Sequence, residues 1–144
     1  MKRVYMNVFG KGAANCLQAS VASLIERDLS DLPNFSEYGK AWHQKTVAWL
    51  TSHGWGTIWV PSDAIKSLIV SDCLCIAIFD TGTHEDHAKI GLWRSWFDVQ
   101  TESGEIAWRY SVDEVFDPNP YPDFECIAIR GIFLIFPMNQ EVQR

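Results

Sequence analysis

The chain has 144 residues, 47% of them hydrophobic and 21% charged, with a net charge of −6 at pH 7. This composition excludes a disordered chain, and the length predicts a single domain over residues 1–144. Because the charge is negative and Lys and Arg form no cluster, duplex nucleic acid is excluded as a partner. No apolar run has the roughly 20 residues that cross a bilayer, so we expect no membrane association and a cytoplasmic protein with reduced cysteines.

Helical patterns occupy the first third of the chain. Apolar residues recur at helical spacing over residues 16–26, and Asn15 directly before them is a suitable N-cap. A second helix is predicted within residues 36–50 and is ended by Gly54, and a short third one near residues 62–69. Cys16 therefore opens the first helix.

Short apolar or alternating runs bounded by turn residues fill the rest of the chain. The runs are TIWV, CLCIAIF, HAKIGLW, WFDV, EIAWRY, CIAI and GIFLIF. Glu102-Ser103-Gly104 and Arg130-Gly131 are predicted hairpin turns. The order of elements predicts an α+β fold in which the N-terminal helix carrying Cys16 packs on an antiparallel β-sheet.

Cys16 is the residue best placed for chemistry. A thiol at a helix N-terminus lies at the positive end of the helix dipole, beside unpaired N–H groups, and both favour the thiolate. A nucleophilic cysteine also needs an imidazole to exchange protons with it, and His87 at the start of the HAKIGLW run is the best candidate. The alternative for Cys16 is a small buried hydrophobic residue, which is the commoner position of a free cysteine.

A metal site is one alternative for this chain, since Cys73, Cys75, His84 and His87 have the residue types that bind zinc. A C-x-C pair inside an apolar run differs from the C-x2-C to C-x4-C spacing of structural zinc sites. We therefore predict two core cysteines, no metal and no cofactor.

Three segments together resemble a papain-like family of small phage and bacterial proteins. Asn15-Cys16-Leu17-Gln18-Ala19, continued by VASLIERDLSDLPNF, is similar to the pattern NC-x-x-A-x-ASLL-x-L-x-L-x-x-VP-x-F. Phe116-Asp117-Pro118-Asn119-Pro120 resembles the DP-[HN]-P motif of the family, and GIFLIFP resembles its closing strand. The resemblance implies a papain-like fold, a phage origin and, in that case, a location in the host cytoplasm.

The same resemblance implies that Asp117 orients His87, in the order Cys, His, Asp along the chain. Asp98 in the WFDV run is the alternative orienting acid. The family's upstream Gln, which donates to the oxyanion, is missing; Asn7 and Asn15 are the only carboxamides before Cys16 and become the oxyanion candidates. The candidate cleft residues are Gln18, His84 and Asp86.

Two functions remain open from the sequence. The first is a cysteine hydrolase of the peptidase or amidase type, which acts on a peptide, protein or amide substrate through an acyl-enzyme. The second is a catalytically weak or inactive papain-like protein that binds a host protein or a small signalling molecule. The oligomeric state is not predicted.

Overall fold

The computed structural model describes residues 1–9, 14–65, 72–82, 86–99, 102–120, 126 and 128–138. Two α-helices precede a five-stranded antiparallel sheet within this part of the chain, which confirms the α+β prediction. The elements are α1 Cys16–Ile25, α2 Trp42–Ser52, β1 Trp55–Pro61, β2 Cys73–Asp80, β3 Asp86–Val99, β4 Ile106–Phe116 and β5 Ala128–Pro137.

Helix α1 matches the predicted helix closely. It begins at Cys16 and ends at Ile25, where Glu26 takes the left-handed conformation that ends many helices. All of its residues except Leu24 are buried, so packing rather than solvent-exposed polar pairs stabilises it. Asn15 occupies the N-cap position, as predicted, but its side chain makes no capping hydrogen bond.

The second helix is shorter than predicted. A 3₁₀ segment, Phe35–Ala41, precedes α2, and Gly39 interrupts it with a φ of 58° that glycine adopts at little cost. Of the predicted third helix, residues 62–65 form a turn region, and residues 66–69 lie outside the described residues. Neither α-helix in the described ranges has the length and apolar character needed to cross a membrane.

The strands occur in the order β1-β5-β2-β3-β4, and all neighbours are antiparallel. HAKIGLW and WFDV merge into the single strand β3, and the predicted hairpin turn at residues 102–104 joins it to β4. The turn predicted at Arg130-Gly131 is wrong, because both residues lie inside β5. A Cβ at Gly131 would meet the Trp59 ring at 2.5 Å, so this glycine permits close packing against β1.

The sheet has an apolar cluster on each face. Helix α1 packs on the face formed by Ile76, Ile78, Ala88 and Phe133, and a second cluster that includes Trp93 covers the other face. The N-terminus of α1 meets the start of β3 at one end of this packing. Cys16, the first residue of α1, and His87, the second residue of β3, therefore lie close together.

Candidate active site

Two backbone atoms of Ala88 fix the position of Cys16 on the sheet. The Ala88 N–H donates to the Cys16 sulfur at 3.4 Å, and the Ala88 carbonyl accepts from the Ser20 hydroxyl at 3.3 Å. Cys16 and Ser20 are four residues apart and share one helix face. Cys16 is only 7% exposed, but a backbone donor and an imidazole contact its sulfur, which gives the sulfur a polar environment.

His87 lies between Cys16 and Asp117. Its Nε2 atom is 2.7 Å from Asp117 Oδ1, and its side chain also forms a hydrogen bond with the Cys16 side chain. Because Nε2 is bound to Asp117, we infer that Nδ1 is the nitrogen facing the sulfur. Asp117 follows the end of β4, whose Phe116 pairs with Ile90 near the start of β3. The structure therefore brings the three predicted residues together.

These contacts control the charge of His87. Burial alone lowers the pKa of the imidazole, since only 4% of the residue is exposed, but the hydrogen bonds to Asp117 and Cys16 and the charges of both partners raise it to about 9. Burial raises the pKa of Asp117, but hydrogen bonds from His87 and the Asn119 N–H outweigh it and leave the pKa below its usual value. At neutral pH the site therefore holds an imidazolium next to a carboxylate and a sulfur.

No family model, curated protein or solved structure matches this chain. The function of the site is therefore inferred from its geometry and from the residues that form it.

The alternative acid Asp98 lies far from His87. Both residues belong to β3 and are eleven positions apart, which at ~3.3 Å per residue separates their backbones by roughly 30 Å or more. A separate strand would have allowed the chain to turn back toward His87. Because HAKIGLW and WFDV form one continuous strand, the prediction for Asp98 is wrong.

Asn15 and Gln18 are bound within the protein. Both amide hydrogens of Asn15 are donated, to Asn7 Oδ1 at 2.8 Å and to Gln18 Oε1 at 3.1 Å. Gln18 donates to the carbonyls of Leu29 and Leu32. Asn15 therefore has no hydrogen left for an oxyanion and Gln18 has none left for a substrate, so these two predictions are corrected.

The remaining candidates are nearer the surface. Asn7 is exposed, and its Nδ2 donates to no acceptor among the residues described. Asp86 directly precedes His87 and pairs with Arg130, which also reaches Asp80 at 3.4 Å. These ion pairs link the start of β3 to the end of its neighbour β2 and to β5 beyond it. His84 lies outside the described residues.

The other cysteines differ from Cys16. Burial raises the pKa of Cys73 and of Cys126, and it raises the pKa of Cys75 to about 12. Cys73 and Cys75 pack with the second apolar cluster, as predicted. Over the described ranges, no three His, Cys, Asp or Glu side chains are grouped as a metal would require.

A cavity of about 260 Å³ is lined in part by Lys89, Ile90 and Gly91 of β3, which follow His87 by two to four residues. Lys89 lines the cavity, and its ammonium group pairs with Glu114 at 2.7 Å and lies 4.8 Å from the centre of the Phe79 ring. Ala77, Phe79 and Gly91 contribute apolar surface to the lining. Phe79 pairs with His87 across β2 and β3, so the cavity and the candidate site share neighbouring residues.

Sequence reasoning missed Ser20 and Ala88. The signal for Ser20 was its position four residues after Cys16, on the face that carries the thiol. The contribution of Ala88 comes from its backbone, and no side-chain pattern indicates which N–H will face a distant sulfur.

Proposed function

We propose that this protein is a cysteine hydrolase in which Cys16 is the nucleophile, His87 the acid and base, and Asp117 the residue that orients His87. The observation that carries the proposal is the position of the His87 ring between Asp117 Oδ1 and the Cys16 side chain. Such a chain of nucleophile, base and orienting acid is the arrangement that activates cysteine and serine nucleophiles. It agrees with the papain-like resemblance of the sequence.

The charge state of the site supports this chemistry. An imidazole with a pKa of about 9 is protonated at neutral pH and favours an ionised sulfur beside it. The N–H of Ala88 and the N-terminus of α1 favour the same anion.

In the first step, the sulfur attacks the carbonyl carbon of an amide, and the electron pair of the C=O bond moves to the oxygen. The tetrahedral intermediate collapses, the C–N bond breaks, and His87 gives its proton to the leaving amine. Water then attacks the thioester while His87 accepts a proton from it. The carboxylic acid leaves, and the sulfur and the imidazolium are regenerated.

The developing oxyanion needs donors near the sulfur. The backbone N–H of Cys16 is one candidate, since it begins α1. Asn7 is the second, because Asn15 holds its Oδ1 atom and leaves the Nδ2 hydrogens available. The loss of one such donor typically raises the barrier by about 3 kcal/mol.

The cavity beside Lys89 is the candidate pocket for a group of the substrate. Its apolar lining residues can contact an aliphatic portion, and Lys89 and Glu114 in the lining can pair with polar or charged atoms. A volume of about 260 Å³ admits one side chain rather than a long peptide.

We expect limiting iodoacetamide at pH 7 to modify Cys16 before the other three cysteines, and faster as the pH rises from 5 to 7. Burial raises the pKa of Cys73, Cys75 and Cys126, which keeps them protonated, whereas Cys16 contacts a cation and a backbone donor. Mass spectrometry of the modified peptides gives the order of reaction. If Cys16 reacts no faster than a small model thiol, the hydrolase proposal fails.

A binding protein without turnover is the second candidate. The low exposure of Cys16, 7%, and the bound carboxamide of Asn15 favour it, because both limit access and oxyanion stabilisation. A protein of this kind shows normal folding and no acyl-enzyme with a library of acyl-amide and peptide substrates, even at high enzyme concentration.

A further inference from the structure

The first nine residues run alongside α1 and contact both ends of the candidate site. Val4 and Met6 are buried against the core that contains Cys16. The N–H of Val4 donates to Ser23 Oγ at 2.8 Å, and the N–H of Met6 donates to the Pro118 carbonyl at 3.0 Å. This segment therefore links the helix to the turn that carries Asp117.

Asn15 anchors the same segment beside the nucleophile. Its Oδ1 accepts from the N–H groups of Asn7 and Val8 at 3.0 and 2.9 Å, while its backbone N–H donates to the Val8 carbonyl at 3.2 Å. Its Nδ2 donates both hydrogens, one to Asn7 Oδ1 and one to Gln18 Oε1. The residue is only 1% exposed, and the carboxamide uses every hydrogen-bonding position that a buried amide must fill.

These contacts close a ring around the site. From Cys16, the ring passes through His87 and Asp117 by side-chain hydrogen bonds and reaches Met6 through the Pro118 carbonyl. It returns from Asn7, next to Met6, to Asn15, which is covalently bound to Cys16. The triad forms one half of the ring, and the N-terminal segment forms the other half.

We propose that Asn15 is the positioning residue that sets the distance between the Cys16 sulfur and the His87–Asp117 pair. It acts through the N-terminal segment and does not touch the substrate. An aspartate at this position would keep the two bonds to the N–H groups but would face the oxygens of Asn7 and Gln18 without hydrogens to donate. The chemistry of the contacts therefore requires a carboxamide. This inference rests on the proposed hydrolase function.

The test compares Asn15→Ala with Ser23→Ala as its matched control. Ser23 holds the same N-terminal segment at Val4, about 12 Å further along α1 from Asn15 at 1.5 Å per residue. Each substitution removes a side chain that binds the N-terminal segment, but only Asn15 is adjacent to Cys16. Urea unfolding of both variants establishes that each is folded.

The readout is the rate of Cys16 alkylation by iodoacetamide between pH 5 and 9. We expect Asn15→Ala to lower the rate at pH 6 by about 10- to 100-fold, because a displacement near 1 Å has effects of this size. Its alkylation rate should approach that of a small model thiol measured at each pH. Ser23→Ala should stay within about twofold of the wild type at each pH, since the ring remains closed.

Each outcome decides the question. A folded Asn15→Ala variant with the wild-type profile, or an equal change in Ser23→Ala, overturns the positioning role and leaves the hydrolase proposal intact. If Asn15→Ala does not unfold cooperatively, Asn15→Ser, which keeps an oxygen acceptor, takes its place and should give an intermediate rate. If neither variant folds, Asn15 is required for folding alone and the inference is wrong. A wild-type Cys16 that reacts like a model thiol overturns both proposals.

Discussion

Replacing His87 with Gln should lower the rate of Cys16 alkylation at pH 6 by about a hundredfold. At this pH only about 0.3% of an ordinary thiol with a pKa of ~8.5 is ionised. In the wild type, the protonated imidazole next to the sulfur stabilises the anion, because the pKa of His87 is raised to about 9. The greater intrinsic reactivity of a more basic thiolate offsets part of the loss, which keeps the expected change near two orders of magnitude rather than above it.

His53→Gln is the matched control for this measurement. His53 is an exposed histidine directly after the last residue of α2, where it contacts the Trp49 carbonyl and Ser52. Its replacement removes an imidazole without touching the candidate site, so the alkylation rate should not change. Equal rates for wild type and His87→Gln would mean that the imidazole does not ionise the sulfur, and the assignment of His87 would be wrong.

Replacing Asp117 with Asn should lower the pKa of His87 from about 9 toward the ordinary range of a histidine. The hydrogen bond to Asp117 is the largest influence that raises this pKa, and burial, which lowers it, remains in the variant. NMR titration of the imidazole measures the change directly. Hydrolysis of the best substrate from an acyl-amide library should fall by about 10³- to 10⁴-fold, because an amide at this position also disturbs the ring orientation and tautomer.

The raised pKa has a consequence for stability with a definite sign. The folded protein binds the His87 proton more tightly than the unfolded chain, in which an ordinary histidine titrates near ~6.5. The stabilisation from this proton is therefore complete below about pH 6.5 and is lost as the pH rises through about 9. Asp117→Asn should flatten this part of the pH dependence in urea unfolding.

Asp98→Asn is the control for the Asp117 variant. Both substitutions replace a carboxylate by its amide, and the two acids were the alternative partners of His87 in the sequence. Because β3 carries Asp98 far from His87, the His87 titration should remain at about 9 in this variant. A fall of the His87 pKa in Asp98→Asn and none in Asp117→Asn would reverse the assignment.

These experiments also separate the two candidate functions. A hydrolase and a binding protein can share an ionised sulfur, so alkylation alone tests only the activation of Cys16. Turnover also requires hydrogen-bond donors to the oxyanion, and Asn7 is the candidate side chain for that role. A reactive Cys16 without any acyl-enzyme would therefore support the binding protein.

The candidate triad was accessible from sequence because each member has a local signature. Cys16 is the first residue of an apolar helical pattern, and His87 precedes an alternating run. Asp117 was favoured by a family resemblance, and its turn contains two prolines that end the preceding strand. Local patterns of this kind depend on neighbours within a few residues, which the sequence displays directly.

The choice between Asp117 and Asp98 was decided by tertiary structure. WFDV reads as a separate strand, but it pairs with β4 without a break from HAKIGLW and so extends away from the site. The wrong prediction of a turn at Arg130-Gly131 likewise arose because the local sequence does not show contacts with distant strands. Glycine favours turns locally, whereas here the close approach of Trp59 on β1 requires it inside a strand.

The α+β class, the start of the first helix and the residue types of the candidate site were predictable, because they follow from periodicity and local conformational preferences. The hydrogen-bond partners of each polar side chain depend on the folded arrangement of distant segments and could not be predicted in the same way. Asn15 illustrates the difference: its position before Cys16 predicted a cap or an oxyanion donor, yet its oxygen binds the N–H groups of Asn7 and Val8. A buried carboxamide binds the donors that the fold brings to it, and those donors come from a segment whose path the local sequence does not specify.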